Sequence, residues 1–81
     1  MSDVHDGVVE LIGRVTDLPA DRLGADVRFA DLGDWTSYTA LRLLTALEDR
    51  FGVRLDLERY FAVHDVGGLV AEVSRAAGVT T

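Results

Sequence analysis

The sequence predicts a small all-α protein: a helical bundle of three main helices plus one short helix, with a long ordered loop between the first and second helices. Apolar residues recur at the spacing of a helical face in three separate stretches. Only one short stretch alternates as a strand would, and a single strand has no partner with which to form a sheet. At 81 residues and 48% hydrophobic, the chain has room for one core. We therefore expect a single domain over residues 1–81, with a frayed tail at about 78–81.

The first helix is expected over about residues 4–17. Asp3 marks its start as a favourable N-cap residue, and Pro19 marks its end because proline cannot continue a helix. Five apolar residues fall at helical spacing and form its predicted buried face: Val4, Val8, Leu11, Ile12 and Val15.

Residues 18–36 follow neither the helical nor the strand period. They contain one Pro, two Gly and four Asp, which is the composition of a loop. The loop is longer than most connections, and loops of this length tend to be functional. Because large apolar residues are spread along it, we expect it to pack over the core through Leu18, Leu23, Val27, Phe29 and Leu32.

The clearest helix runs over residues 37–51. Thr36 is expected to cap its start, and Gly52 is expected to end it. Its apolar positions share one face at 100° per residue, which predicts burial of Ala40, Leu43, Leu44, Leu47 and Phe51.

The remaining chain predicts one short and one longer helix. The alternation of Val53, Leu55 and Leu57 is interpreted as an extended link that leads into a short helix near residues 57–61. Asp65 is expected to cap the last helix, whose apolar face consists of Val66, Leu69, Val70 and Val73.

The charge balance restricts the partners that the protein can have. Ten Asp and four Glu oppose eight Arg and no Lys, for a net charge of −6, and such a surface repels phosphate backbones and anionic lipid. The chain contains no Cys, no signal-peptide pattern at its start and no apolar run of about 20 residues. We therefore expect a cytoplasmic monomer that binds neither nucleic acid nor a membrane.

Motifs for catalysis are missing from the sequence. The segment W-T-S-Y-T around Ser37 is not a nucleophile elbow, and the Asp residues of the loop lack the spacing of a calcium-binding loop. The pair Gly67-Gly68 is interpreted as a packing or capping feature rather than a phosphate cradle. The sequence therefore predicts a protein that is not an enzyme and holds no metal.

Three motifs in fixed order give the chain a family resemblance. The segment F-A-D-L-G at residues 29–33 precedes Ser37, the helix that Ser37 opens ends in L-E-D-R-F-G at residues 47–52, and D-V-G-G-L-V follows at residues 65–70. In this order and spacing the chain resembles the phosphopantetheine-binding carrier proteins of fatty-acid, polyketide and nonribosomal peptide assembly. The resemblance extends from Val8 to Val73.

The resemblance implies that Ser37 carries a 4'-phosphopantetheine arm donated by coenzyme A. Physical chemistry suits this position, because backbone N–H groups in the first turn of a helix lack partners and the helix dipole is positive there. A phosphodiester at such a site gains about 0.3–1 kcal/mol. From the residues alone, Ser37 could instead merely help to cap the helix.

Two features near Ser37 depart from the family pattern. Most acyl carriers have Asp immediately before the serine, where this chain has Thr36, which can cap the helix but offers no charge to a metal. The spacing from Gly33 to Ser37 is also one residue longer than usual. Trp35 lies in this segment, and it is interpreted either as an anchor of the loop or as a contact for the arm or its cargo.

The face of the second helix opposite the predicted core is the expected partner surface. An exposed tyrosine and leucine beside the serine are unusual for a merely solvated face, and the resemblance implies that partner enzymes read this helix. The candidate partner-binding residues are Tyr38, Leu41, Arg42, Thr45, Glu48 and Asp49. Glu48 and Asp49 fit the acidic habit of the family, whereas Arg42 stands where an acid is common.

The resemblance implies a carrier that holds acyl intermediates as thioesters and shuttles them between biosynthetic enzymes. Its partners would be a phosphopantetheinyl transferase, a loading enzyme, and downstream synthase or tailoring enzymes. The departures from the fatty-acid pattern favour polyketide or other specialised metabolism, such as antibiotic synthesis. Two alternatives stay open: an aminoacyl or peptidyl carrier of a nonribosomal peptide pathway, and a helical docking or adaptor domain that is never modified.

Overall fold

The computed structural model describes residues 3–33 and 35–78 of the chain. Within these residues the chain forms four α-helices: α1 (Asp3–Thr16), α2 (Ser37–Phe51), α3 (Leu57–Ala62) and α4 (Val66–Ala77). The loop between α1 and α2 contains two single-turn 3-10 helices, at Ala20–Arg22 and Phe29–Asp31. The predicted all-α bundle of three main helices and one short helix is therefore confirmed.

The bounds of α1 differ from the prediction by one residue at each end. The helix begins at Asp3 itself, so Asp3 lies in its first turn and the prediction that it precedes the helix as the cap is wrong. The helix ends at Thr16, and Asp17 follows in the left-handed region with φ of 60°. Because Pro19 disfavours a helical backbone at Leu18, the chain leaves the helix before the proline is reached.

The bounds of α2 agree with the prediction. The Oγ1 atom of Thr36 accepts a hydrogen bond from the N–H of Thr39 at 3.3 Å, so Thr36 is the N-cap. Gly52 adopts a left-handed conformation with φ of 63°, and its N–H donates to the carbonyl of Glu48. Only glycine adopts this conformation at little cost, which ends the helix at Phe51.

Side-chain caps also start α3 and α4. An Oδ1 atom of Asp56 accepts from the N–H of Arg59 at 3.1 Å, and Oδ1 of Asp65 accepts from the N–H of Gly68 at 2.8 Å. The predicted cap at Asp65 is confirmed. Gly78 is the C-cap of α4, and the rest of the predicted frayed tail, residues 79–81, lies outside the described residues.

The core lies where α1 packs against α2 and α4. Most of the predicted faces are buried there, whereas Val15, Phe51 and Val70 are only partly buried. A Cβ atom at Gly7 would lie 2.7 Å from Cζ of Phe51, so the glycine lets the aromatic ring approach α1. The core also includes residues that the helical spacing did not place there: Val9, Leu55 and Tyr60.

The long loop is ordered because backbone hydrogen bonds join it to the start of α4. The N–H groups of Phe29, Val66 and Gly67 donate to the carbonyls of His64, Val27 and Ala25 at 3.0, 3.0 and 2.8 Å. As predicted, the apolar residues of the loop pack on the core, with Leu23 and Phe29 buried. These hydrogen bonds therefore hold the loop that leads to α2 against the start of α4.

An ion-pair cluster joins α3 to α4. The carboxylate of Glu72 is almost completely buried and accepts from Nε of Arg59 at 3.1 Å and from Nη2 of Arg75. The hydrogen bond from Arg75 and the charge and hydrogen bond of Arg59 lower the pKa of Glu72, against the opposing effect of desolvation.

In the described part of the chain, no helix is both long and apolar enough to cross a bilayer.

Candidate functional site

Ser37 is the first residue of α2, and its side chain is exposed. Thr36 provides the oxygen that caps the helix. The capping role considered for Ser37 therefore belongs to Thr36. The hydroxyl of Ser37 therefore stands at the positive end of a 15-residue helix without being needed to hold that helix. This arrangement suits a nucleophilic hydroxyl that receives an anionic group.

Trp35 anchors the chain just before this serine. Its ring stacks on that of Phe29, with centroids 4.7 Å apart and an interplanar angle of 17°. Phe29 is buried and Trp35 is half-buried, so the stack fixes the end of the loop to the core. Trp35 thus acts as a loop anchor, one of its two predicted roles, and it also forms a wall of the groove beside Ser37.

Two adjoining hollows lie beside Ser37. An open groove of about 350 Å³ is lined by Trp35, Thr36, Ser37, Ala40 and Phe61. A more enclosed cavity of about 50 Å³ lies next to it and is lined by Phe29, Trp35, Ala40, Tyr60, Phe61 and Val63. Because Trp35, Ala40 and Phe61 line both hollows, the inner cavity adjoins the groove that Ser37 lines.

Tyr60 fixes α3 against α2 at this site. Its hydroxyl donates a hydrogen bond of 2.6 Å to the carbonyl of Ala40, one turn of helix beyond Ser37. Burial of the phenol raises the pKa of Tyr60 above its ordinary value. Phe61 follows Tyr60 in α3 and is half exposed. Its ring meets the ring of Tyr60 edge-on, with the two centroids 5.3 Å apart.

The helical spacing did not identify Tyr60 and Phe61 as part of the site. A signal was present in the positions of Leu57 and Phe61, four residues apart in a short helix, because two large apolar residues then share one exposed face. Both are about half exposed, at 54% and 50%. Only the tertiary structure shows that Phe61, and not Leu57, lines the groove beside the serine.

The predicted partner face of α2 is exposed for five of its six residues: Tyr38, Leu41, Arg42, Thr45 and Asp49. Tyr38 and Leu41 are 71% and 46% exposed, which is high for apolar side chains. The guanidinium of Arg42 lies 5.9 Å from the centre of the Tyr38 ring, a cation–π contact. The structure therefore brings an aromatic, an aliphatic and a cationic group together within about a turn and a half of Ser37.

Glu48, the sixth residue of that set, is half-buried. Its Oε2 atom accepts a hydrogen bond of 2.9 Å from the N–H of Leu55, in the link between α2 and α3. This contact gives Glu48 an internal role that the sequence pattern did not indicate. Its contact with a partner stays a prediction.

Comparison with known families defines the class of protein to which this site belongs. The family described as the phosphopantetheine attachment site matches residues 6–73, which span α1 to α4 apart from their outer ends. The chain therefore belongs to the phosphopantetheine-binding family, whose cofactor is covalently attached 4'-phosphopantetheine and whose members are carriers rather than catalysts.

A comparison with individual proteins gives a narrower relationship. The chain is 32% identical over 76 residues to the acyl carrier protein of Kineococcus radiotolerans, and the match covers 94% of each chain. This similarity over nearly the whole length supports an acyl carrier role for the protein.

Proposed function

We propose that this protein is a discrete acyl carrier that bears its phosphopantetheine arm on Ser37. The arm supplies a thiol on which an acyl group is held as a thioester. In this function the protein passes acyl intermediates between the enzymes of a polyketide or other specialised pathway. The observation that carries the proposal is the exposed serine at the start of α2, within the span matched by the attachment-site family.

The residues around Ser37 fit the attached group. The serine hydroxyl is exposed, the helix dipole favours a phosphodiester next to it, and the neighbouring groove has no charged residue among its described walls. Thr36 holds the first turn by capping it, and the Phe29–Trp35 stack fixes the preceding loop. Together these contacts fix the backbone that presents the hydroxyl to the transferase.

Partner enzymes are proposed to dock on the exposed face of α2. A transferase must approach this face to reach Ser37, and loading, synthase and tailoring enzymes must approach it to reach the arm. Tyr38 and Leu41 offer apolar contact, Arg42 offers a positive charge, and Thr45 and Asp49 extend the face along the helix. Arg42 and the uncharged Thr36 depart from the acidic pattern of the fatty-acid carriers, which supports a specialised pathway.

Mass spectrometry of the intact protein tests the modification. After incubation with coenzyme A, magnesium and a broad-specificity phosphopantetheinyl transferase, the wild-type chain is expected to gain one arm. Ser37→Ala should fold, as judged by circular dichroism, and stay unmodified. Thr16→Ala is the matched control, because it removes a hydroxyl at the end of α1, outside the proposed docking face, and should still gain the arm.

The same measurement separates the competing functions. Addition of an arm to Ser37→Ala would overturn the assignment of the site, and failure of the wild type to gain an arm would favour an unmodified docking domain. The mass of the carrier isolated from its own cells then identifies the cargo. An acyl mass supports the proposal, whereas an aminoacyl mass would make the protein a peptidyl carrier.

A further inference from the structure

The inner cavity next to the groove is too small to receive a substantial cargo. Its volume is about 50 Å³, whereas an apolar cavity that binds a benzene-sized ring measures about 150 Å³. The open groove next to it, at about 350 Å³, exceeds that size. A ring can therefore lie in the groove, but neither a ring nor a long chain fits the interior as it stands.

Two contacts oppose widening of the interior. On one side, the indole of Trp35 stacks on the buried ring of Phe29 at 4.7 Å. On the other side, the hydroxyl of Tyr60 is bonded at 2.6 Å to the carbonyl of Ala40, which joins α3 to α2. Entry of a long chain would require the indole to leave Phe29 or α3 to leave α2.

The walls of the groove favour a flat apolar group. Trp35 is half-buried and Phe61 is 50% exposed, so both rings have surface available to a ligand at the mouth of the inner cavity. Aromatic rings prefer offset-stacked or edge-to-face contacts with other rings. The described walls carry no charged side chain, and the Oγ1 atom of Thr36 already accepts a hydrogen bond in its capping role.

We propose that Trp35 determines the cargo specificity of this carrier. A planar acyl group of about the size of a benzoyl group lies in the groove between Trp35 and Phe61, and the Phe29–Trp35 stack keeps a long saturated chain out of the interior. This proposal rests on the proposed function, because the cargo must be attached through an arm on Ser37. It adds the chemical class of the cargo and the residue that selects it.

Two loaded forms of the protein provide the test. A broad-specificity transferase is used to attach a benzoyl-loaded or an octanoyl-loaded arm from the corresponding acyl-coenzyme A, and the products are verified by intact mass. The rate of thioester cleavage by hydroxylamine is then divided by the rate for the same acyl-coenzyme A in solution. Benzoyl cleavage should be slowed about fivefold, the factor expected for a ring contact of ordinary strength, and octanoyl cleavage should not be slowed.

Substitutions in the walls should reverse this preference. Trp35→Ala removes one wall and opens the interior, so benzoyl protection should be lost and octanoyl protection should appear. Phe61→Ala removes an exposed wall residue and should abolish benzoyl protection while circular dichroism stays unchanged. Leu57→Ala is the matched control, since it removes an equally exposed apolar side chain one turn away that does not line the groove.

Fluorescence gives a second readout, because Trp35 is the only tryptophan in the sequence. Its emission should change when the benzoyl arm is attached and should stay at the level of the unacylated arm with octanoyl. Equal protection of both cargoes in the wild type, or benzoyl protection that survives Phe61→Ala, would overturn the proposal while leaving the acyl carrier function intact. Failure to attach any arm to Ser37 would overturn both.

Discussion

The hydrogen bond from Tyr60 to Ala40 gives the most direct test of how the site is held together. The hydroxyl is buried, and it is the donor of a 2.6 Å bond that connects α3 to α2 beside the groove. Tyr60→Phe removes this bond and keeps the ring that packs in the core. The substitution therefore isolates the tie between the two helices from the packing of the side chain.

The expected cost of Tyr60→Phe is about 1 kcal/mol. A hydrogen bond between neutral groups contributes about 0.5–1.5 kcal/mol of net stability. The Ala40 carbonyl has two lone pairs and keeps its bond within the α2 helix, so no buried acceptor is left without a partner. For a domain of this size, a loss of 1 kcal/mol lowers the Tm by roughly 4–8 °C.

Urea and thermal unfolding followed by circular dichroism measure this cost at pH 7. Tyr38→Phe is the matched control, because Tyr38 is 71% exposed and the same chemical change there should alter the free energy of unfolding by less than about 0.5 kcal/mol. Equal effects at the two tyrosines, or no effect at Tyr60, would refute the inference that the hydroxyl joins α3 to α2.

The raised pKa of Tyr60 predicts that the protein loses stability in alkali. Burial raises the pKa of Tyr60 above the unfolded value of 10.0, so the folded chain keeps the phenolic proton at a pH where the unfolded chain releases it. The contribution of Tyr60 to stability is therefore constant below about pH 10 and falls as the pH rises further. The difference between wild type and Tyr60→Phe should narrow above pH 10, which urea titrations across that range would detect.

Four further substitutions test the packing, the charges and the modification. Leu44→Ala should lower the free energy of unfolding in urea by about 2–5 kcal/mol, because Leu44 is buried. Leu41→Ala should lower it by less than about 0.5 kcal/mol, because Leu41 is half exposed. Similar losses for the two variants would contradict the assigned faces of α2. The pKa of Glu72 is lowered by Arg75 and Arg59, so its contribution to stability is present above its unfolded pKa of 4.5 and is lost as the pH falls. The stability difference between wild type and Glu72→Gln should thus shrink between pH 7 and pH 3.5, and a constant difference would contradict that role. Thr36→Asp should leave the Tm unchanged, since both residues cap a helix well, and should speed modification by a transferase that relies on an acid before the serine; equal initial rates would show that the acid is dispensable.

The sequence predicted the helices well where local chemistry decides them. The bounds of α2 followed from Thr36 and Gly52, and the start of α4 followed from Asp65, because capping side chains and left-handed glycines act within a few residues of the chain. The bounds of α1 were less accurate, since Asp17 adopts a left-handed conformation that is uncommon for a residue other than glycine. No local sequence pattern predicts the left-handed conformation of Asp17.

The groove was not predictable in the same way. Its walls come from the loop before α2, from α2 itself and from α3, and Trp35 and Phe61 are 26 positions apart in the sequence. The sequence marked Trp35 as a candidate contact, but it could not show that Phe29 would cover one face of the indole. Phe61 was not identified because a helix of six residues is too short for its periodicity to show which neighbouring element each side chain faces.

What the sequence by itself determined is the all-α fold, the family and the position of the candidate serine at the start of a helix. These depend on spacing along the chain, which periodicity and capping make readable. Only the tertiary structure decided that Glu48 bonds to the link after α2, that Tyr60 joins α3 to α2, and that two aromatic rings border the groove beside Ser37. Such contacts join residues that are distant in sequence or turned toward another element, and their geometry exists only after the helices pack.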